Sequence, residues 1–423
     1  MKKKIQGFAC TIVLFALLIF PGSCLKDHLT YTYTIREPIY KTLSQVRAEV
    51  KVSPKEPLQS PGKIYIKGDY IFLNETDKGI HVIDNTDASN PQNMAFINIP
   101  GNQDLAIKDN ILYADCYSDL LAIDITDVHH IVVKKTIESV FLNRIGYFMA
   151  SSNPDSIFII TGWTTKDTTI NYEGARNYPV YPIAYNGCAA CATALNAPAS
   201  SSSTGIGGSM ARFTIVNNWL YAVDNTNLDM INITESVNPQ FVGTQLVDWH
   251  IETIYPFRDK LFIGSNNGVF MYDISHTPEA PQPAGQFTHV RACDPVIADE
   301  HYAYVTLSDG TPCLGFDNEL QIVNINNLDS ASLVSTYPMK HPLGLSKDGP
   351  LLFLCDDMEG LKLFNVDDPV NLKLLGHFTD CTPKDVITVQ GLALVLAKEG
   401  LFEYDYSNPQ NIVLKGKLTL ASQ

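Results

Sequence analysis

The sequence predicts an all-β chain, a β-propeller of four-stranded antiparallel blades, and three observations carry that prediction. Seven segments read alike: Ile80–Asp84, Leu120–Asp124, Leu228–Asn232, Val269–Asp273, Leu320–Asn324, Leu361–Asn365 and Leu401–Asp405. Their closing Asp or Asn residues stand 40, 108, 41, 51, 41 and 40 apart, so four of six intervals share one period of about forty residues. Each repeat also carries the same turns. A Gly precedes several of the segments (Gly79, Gly268, Gly360, Gly400), and Asn-Pro pairs follow at Asn90-Pro91, Asn238-Pro239 and Asn408-Pro409. Glycine suits a hairpin position with positive φ, and proline fixes φ beside an Asx side chain that bonds its own backbone. Four short strands per forty residues describe one blade. Seven segments give seven blades.

Taken in order, residues 1–23 read as a signal peptide: Lys2, Lys3 and Lys4 precede a short apolar run, Ile12 to Phe20. Pro21-Gly22-Ser23-Cys24 resembles the bacterial lipobox, which implies cleavage before Cys24 and acylation there. Leu25-Lys26-Asp27 lacks an Asp directly after the cysteine and is similar to the surface-export signal of some Gram-negative lipoproteins. Residues 24–61 are expected to be a spacer, with a strand from Thr30 to Ile35 and one or two helical turns from Ser44 to Val50. The propeller then occupies residues 62–420. Within each unit an apolar second strand, such as Ile111–Ala114, Trp219–Ala222 or Tyr302–Val305, precedes the signature strand. The 108-residue interval holds an inserted region at about 142–210. Gly146–Met149 and Ser156–Ile160 could alternatively begin an eighth, degenerate blade, but no signature strand follows them. Ala197 to Gly208, rich in Ser, Gly and Ala, reads as a mobile loop.

The signature pentapeptide resembles that of the LVIVD-repeat proteins, approximated here by Leu120-Leu-Ala-Ile-Asp124 and Ile80-His-Val-Ile-Asp84. The resemblance covers roughly residues 62–420 together with the N-terminal lipoprotein signal. It implies a propeller carried on secreted or surface proteins, and it implies no single reaction.

Composition narrows the partners. Without residues 1–23 the chain has 27 basic and 45 acidic residues, a formal charge of −18. Such a surface repels phosphate backbones, which argues against nucleic acid. Membrane attachment, expected at the outer membrane on its periplasmic or cell-surface side, would rest on acyl chains at Cys24. Seven further cysteines, Cys116, Cys188, Cys191, Cys293, Cys313, Cys355 and Cys381, are an odd number and no disulfide scaffold. Cys293 and Cys313 lie in one enlarged repeat, where their placement permits a disulfide. Cys188-Ala-Ala-Cys191 has redox or metal spacing but neither a thioredoxin-like context nor a second ligand pair, so it reads as a local disulfide or two loop thiols. Gly205-Ile-Gly-Gly208 lacks the spacing and βαβ setting of a dinucleotide loop.

The candidate site comes from reading the first strands in phase, because these line a propeller's channel. Lys63, Asp104, Arg212, Glu252, Asp294, His341 and Asp385 would converge on one mouth, with the phase slipping at Glu252, Asp294 and His341. Carboxylates with a histidine suit calcium or another divalent cation, and Lys63 with Arg212 suits an anion. Solvation of a water-filled channel accounts for the same residues without a ligand. Trp249 and His250 precede Glu252, and the tryptophan reads either as a stacking platform or, with more weight, as blade packing.

Two functional readings follow. One is an envelope lipoprotein whose propeller binds a protein or glycan partner without catalysis, favoured by the lack of a recognisable catalytic motif. The other is a metal-dependent hydrolase or lactonase working at the channel mouth. Fold alone does not choose between them.

Overall fold

The computed structural model describes residues 30–141, 153–171, 205–289, 295–309 and 317–421. The chain divides into two units. One holds residues 40–161 and 187–423, and the other holds residues 1–39 and 162–186.

The larger unit is a ring of seven antiparallel sheets, each four strands deep and contributed in order by residues 61–98, 105–137, 213–246, 251–288, 296–338, 345–378 and 383–419. All seven signature segments form the third strand of their blade. Neighbouring blades touch through their innermost strands, and the inner strand of blade 1 (Pro61–Lys67) meets the second strand of blade 7 (Leu392–Ala397), which closes the circle. Apolar residues dominate the first three strands because their faces are covered by the adjacent blades.

The sequence dictates these blades through recurring devices. The Asp or Asn ending every signature strand accepts a hydrogen bond from the backbone two residues on, from Asp84–Thr86 at 2.9 Å to Asp405–Ser407 at 3.0 Å. These Asx turns start the connection to the fourth strand. In every blade that fourth strand carries one extra residue opposite the middle of the signature strand, a β-bulge that increases local twist. The glycine opening the signature strand is required by space as well as φ. A Cβ on Gly400 (φ 135°) would stand 2.1 Å from the Leu418 carbonyl oxygen.

Tyrosine hydroxyls tie blade to blade. Tyr113 donates to the Ser236 carbonyl at 2.8 Å, Tyr221 to that of Pro278 at 2.8 Å, and Tyr255 to that of Ala298 at 2.9 Å.

Before blade 1, the helix Leu43–Ala48 starts on a capping box. Thr42 accepts from the Gln45 amide at 3.2 Å, and the Gln45 side chain accepts from the Thr42 amide at 2.9 Å. Lys51–Pro54 adds a fifth strand to the outer edge of blade 1.

The strand Phe158–Asn171 pairs with Thr30–Thr42 and not with any blade, so Ser156–Ile160 does not begin an eighth blade. Gly146–Met149 lies outside the described residues. In the smaller unit, Thr34 donates to Asp167 at 2.7 Å and the Arg36 guanidinium stands 6.0 Å from the Trp163 ring centre.

Candidate functional site

Asp104 enters the centre of the ring because Asp115, at the end of the second strand of blade 2, holds the turn before it. Asp115 accepts from the Asn102 side chain and from the backbone amides of Gln103 and Asp104 at 2.8–3.0 Å. Asp356 does the same in blade 6, accepting from the Lys340 and His341 amides. So oriented, the Asp104 carboxylate accepts from Lys63 Nζ at 2.9 Å, from the Phe213 amide at 3.1 Å, from the Leu105 amide at 2.7 Å and from the Arg212 amide. Lys63 and Asp104 are 7 % and 2 % exposed. A buried ion pair whose lone pairs are filled by backbone amides is a structural joint between blades 1, 2 and 3.

Asp385, on the inner strand of blade 7 (Pro383–Val389), faces the same centre and is 2 % exposed. Burial pushes its carboxyl up to about 8, with the Asp104 charge adding to the rise and Lys63, the Val386 amide and Ser209 opposing it. At neutral pH it is mainly a neutral acid.

What packs over these groups is the chain itself. Ile206–Gly207 forms a short strand against the inner strand of blade 1. Gly205 donates to the Ile107 carbonyl at 3.0 Å, and Gly208 to the Ile64 carbonyl at 3.3 Å. Ser209 donates to Asp385 at 3.2 Å and accepts from the Leu345 amide at 2.5 Å, while the Ala211 carbonyl accepts from the Ile254 amide at 2.9 Å. The segment thus bonds to blades 1, 2, 4, 6 and 7. The cavity left beside Lys63, Asp104 and Asp385 measures about 10 Å³, space for one water at most. The last four residues of the stretch read as a mobile loop, Gly205–Gly208, are therefore a fitted stopper. Their small size serves a narrow passage: a Cβ on Gly208 would lie 2.3 Å from Asp385 Oδ2. Residues 197–204 lie outside the described residues.

The other candidates do not join this cluster. Glu252 is buried on the inner strand of blade 4 beside a β-bulge and does not line the cavity. Arg212 meets Asp104 through its backbone, and its side-chain Nε is buried without a hydrogen-bond partner among the described residues. His341 sits between Asp309 and Asp357, with its Nδ1 3.6 Å from Asp357 Oδ2. The inward position of blade 6 belongs instead to Gly344, whose carbonyl accepts from the Cys355 amide as that of Arg212 does from Val223. A Cβ there would stand 2.2 Å from Asp385 Oδ1, so blade 6 presents no side chain at that level. Asp294 falls outside the described residues, as do Cys24, Cys188, Cys191, Cys293 and Cys313.

The donor set does not fit calcium or another divalent cation. The Asp104 carboxylate already receives four donors, and one of them, the Lys63 ammonium, is itself a cation. Among the described residues no three His, Cys, Asp or Glu side chains converge as metal ligands. Cys116, Cys355 and Cys381 are buried free thiols, and burial pushes Cys116 up to about 12 and Cys381 to about 11, which leaves them unreactive.

The three most exposed large apolar side chains among the described residues lie on the face formed by the turns between second and third strands and by the connections between blades. Trp249 there is 68 % exposed, Leu246 71 % and Met358 85 %. The tryptophan therefore projects into solvent, against its reading as blade packing.

No protein-family model and no curated protein sequence matches the chain. Among solved structures, it is similar to a Bacteroides uniformis protein titled a "putative 6-phosphogluconolactonase", at 9 % identity and a TM-score of 0.55, covering 86 % of this chain and 97 % of that one. A Lactobacillus plantarum protein matches at 11 % identity and a TM-score of 0.55, covering 85 % and 97 %. Saccharomyces cerevisiae Sqt1 matches at 7 % identity and a TM-score of 0.52, covering 88 % of each chain. At such identities the likeness is one of fold.

Proposed function

We infer that this chain is a non-catalytic binding protein of the LVIVD-repeat kind, anchored by acyl chains at Cys24 to the outer membrane. Its propeller holds out a loop-bearing face to a protein of the envelope. The observation that carries this reading is the stopper: seated as it is, Gly205–Ala211 leaves about 10 Å³ beside the central carboxylates, too little for a substrate. Trp249, Leu246 and Met358, large apolar side chains in water, supply the anchors that protein interfaces use.

Crosslinking in native envelopes followed by purification tests the reading. The wild type is expected to retain one protein at fixed stoichiometry. Trp249→Ala is expected to weaken that complex by about 2 kcal/mol or more, roughly 30-fold in Kd. Capture undiminished by Trp249→Ala together with Met358→Ala, retention of a glycan in place of a protein, or turnover of lactones by the wild type would each overturn it.

A further inference from the structure

We propose that Gly205–Ala211 is a releasable stopper, seated while Asp385 keeps its proton and loosened as that carboxyl ionises. The geometry makes Asp385 the control point. Its Oδ1 accepts from Ser209 in the stopper and from the Val386 amide at 2.9 Å, while Gly208 packs against Oδ2. Gly344 closes the side toward blade 6 with no room for even one further carbon. Among the described residues the titratable groups facing Asp385 are Lys63 from blade 1, Asp104 from blade 2 and the buried Cys355 thiol from blade 6. One lysine serves two carboxyl groups, and Asp104 holds it at 2.9 Å. Among the described residues an ionised Asp385 would be a second buried anion with no cation of its own, a costly state that lifting the stopper relieves by admitting water.

The sign follows from linkage. With the stopper seated, the Asp385 carboxyl titrates at about 8, far above its ordinary value of 3.8. Once opened to water it returns toward that ordinary value. Opening therefore releases a proton between these limits, and its equilibrium constant rises up to tenfold per pH unit from about pH 4 until it levels near pH 8. The ring need not unfold, because the blades hold one another through their own strands and tyrosine bonds.

Native-state hydrogen exchange on the full mature chain tests this, read as protection factors so that the intrinsic pH dependence of exchange cancels. Between pH 6 and pH 8 the Gly205, Gly208 and Leu345 amides are expected to lose protection at least tenfold, while blade amides such as Ile263 and Leu394 hold theirs. Asp385→Asn should abolish the pH dependence. Ser209→Ala should lower protection of the stopper at every pH and keep the dependence. A flat profile in the wild type, a dependence that survives Asp385→Asn, parallel loss in the blade amides, or full protection in Ser209→Ala would overturn the proposal.

Discussion

Glu403 lies at the seam between the first and last blades, fully buried, and its Oε2 accepts from the Asn85 side chain at 2.9 Å while Oε1 has no hydrogen-bond partner among the described residues. Burial pushes its carboxyl up to about 7. A group raised in the folded state contributes stability that is whole below its unfolded value of 4.5 and is lost as pH rises through 7. Carboxylates such as Glu75 and Asp124 run the other way. Backbone and side-chain hydrogen bonds hold them at about 2, so they contribute above pH 4.5 and lose that contribution in acid. Stability is thus expected to peak on the acid side of neutrality. Urea titrations from pH 4.5 to 8 should show the wild type weakening as pH rises, and Glu403→Gln weakening less. Equal slopes for the two proteins would show that the seam carboxyl does not titrate there.

In each blade the element most legible in the sequence, the signature strand, is the one whose ends are chemically marked. A glycine opens several and an Asx residue closes all of them, because close backbone approach and a turn demand those residue types. The glycine is testable by itself. Gly400→Ala must displace the Leu418 carbonyl or abandon φ 135°, and is expected to cost about 2 kcal/mol or more by urea denaturation. An unchanged midpoint would mean that the fourth strand yields freely. The inner strands were less legible because their side chains are read by phase: Gly344 stands twenty residues after Asn324, as Asp104 does after Asp84 and Asp385 after Asn365, but a glycine offers no polar mark, and His341 lies three residues short of that position. The carboxylates at or just past the ends of second strands, Glu75, Asp115, Asp356 and Glu399, recur in blades 1, 2, 6 and 7 and bind the amides of the turn entering the inner strand. They share no fixed spacing, since Asp356 and Glu399 lie just beyond the ends of their strands, so neither residue type nor period marks the set in the sequence. Gly205–Gly208 was misread because composition reports flexibility in an isolated chain, whereas small side chains also serve where surrounding walls leave no room.

At the scale of the ring, the first and last blades are each built from four consecutive strands, and no strand is traded between them. Closure rests on packing, on Asn85 with Glu403, and on the Ala421 amide donating to the Leu58 carbonyl at 3.1 Å. Topologically, then, the joint between blades 7 and 1 is one interval among seven, and nothing in the wiring marks it as the place where the polypeptide must start and stop. A circular permutant that links residue 421 to residue 58 through a short flexible bridge and opens between blades 3 and 4 is expected to fold with the parent's circular dichroism and unfold in a single transition. Failure to fold would mean that order of synthesis, and not the finished wiring, governs how the circle is completed.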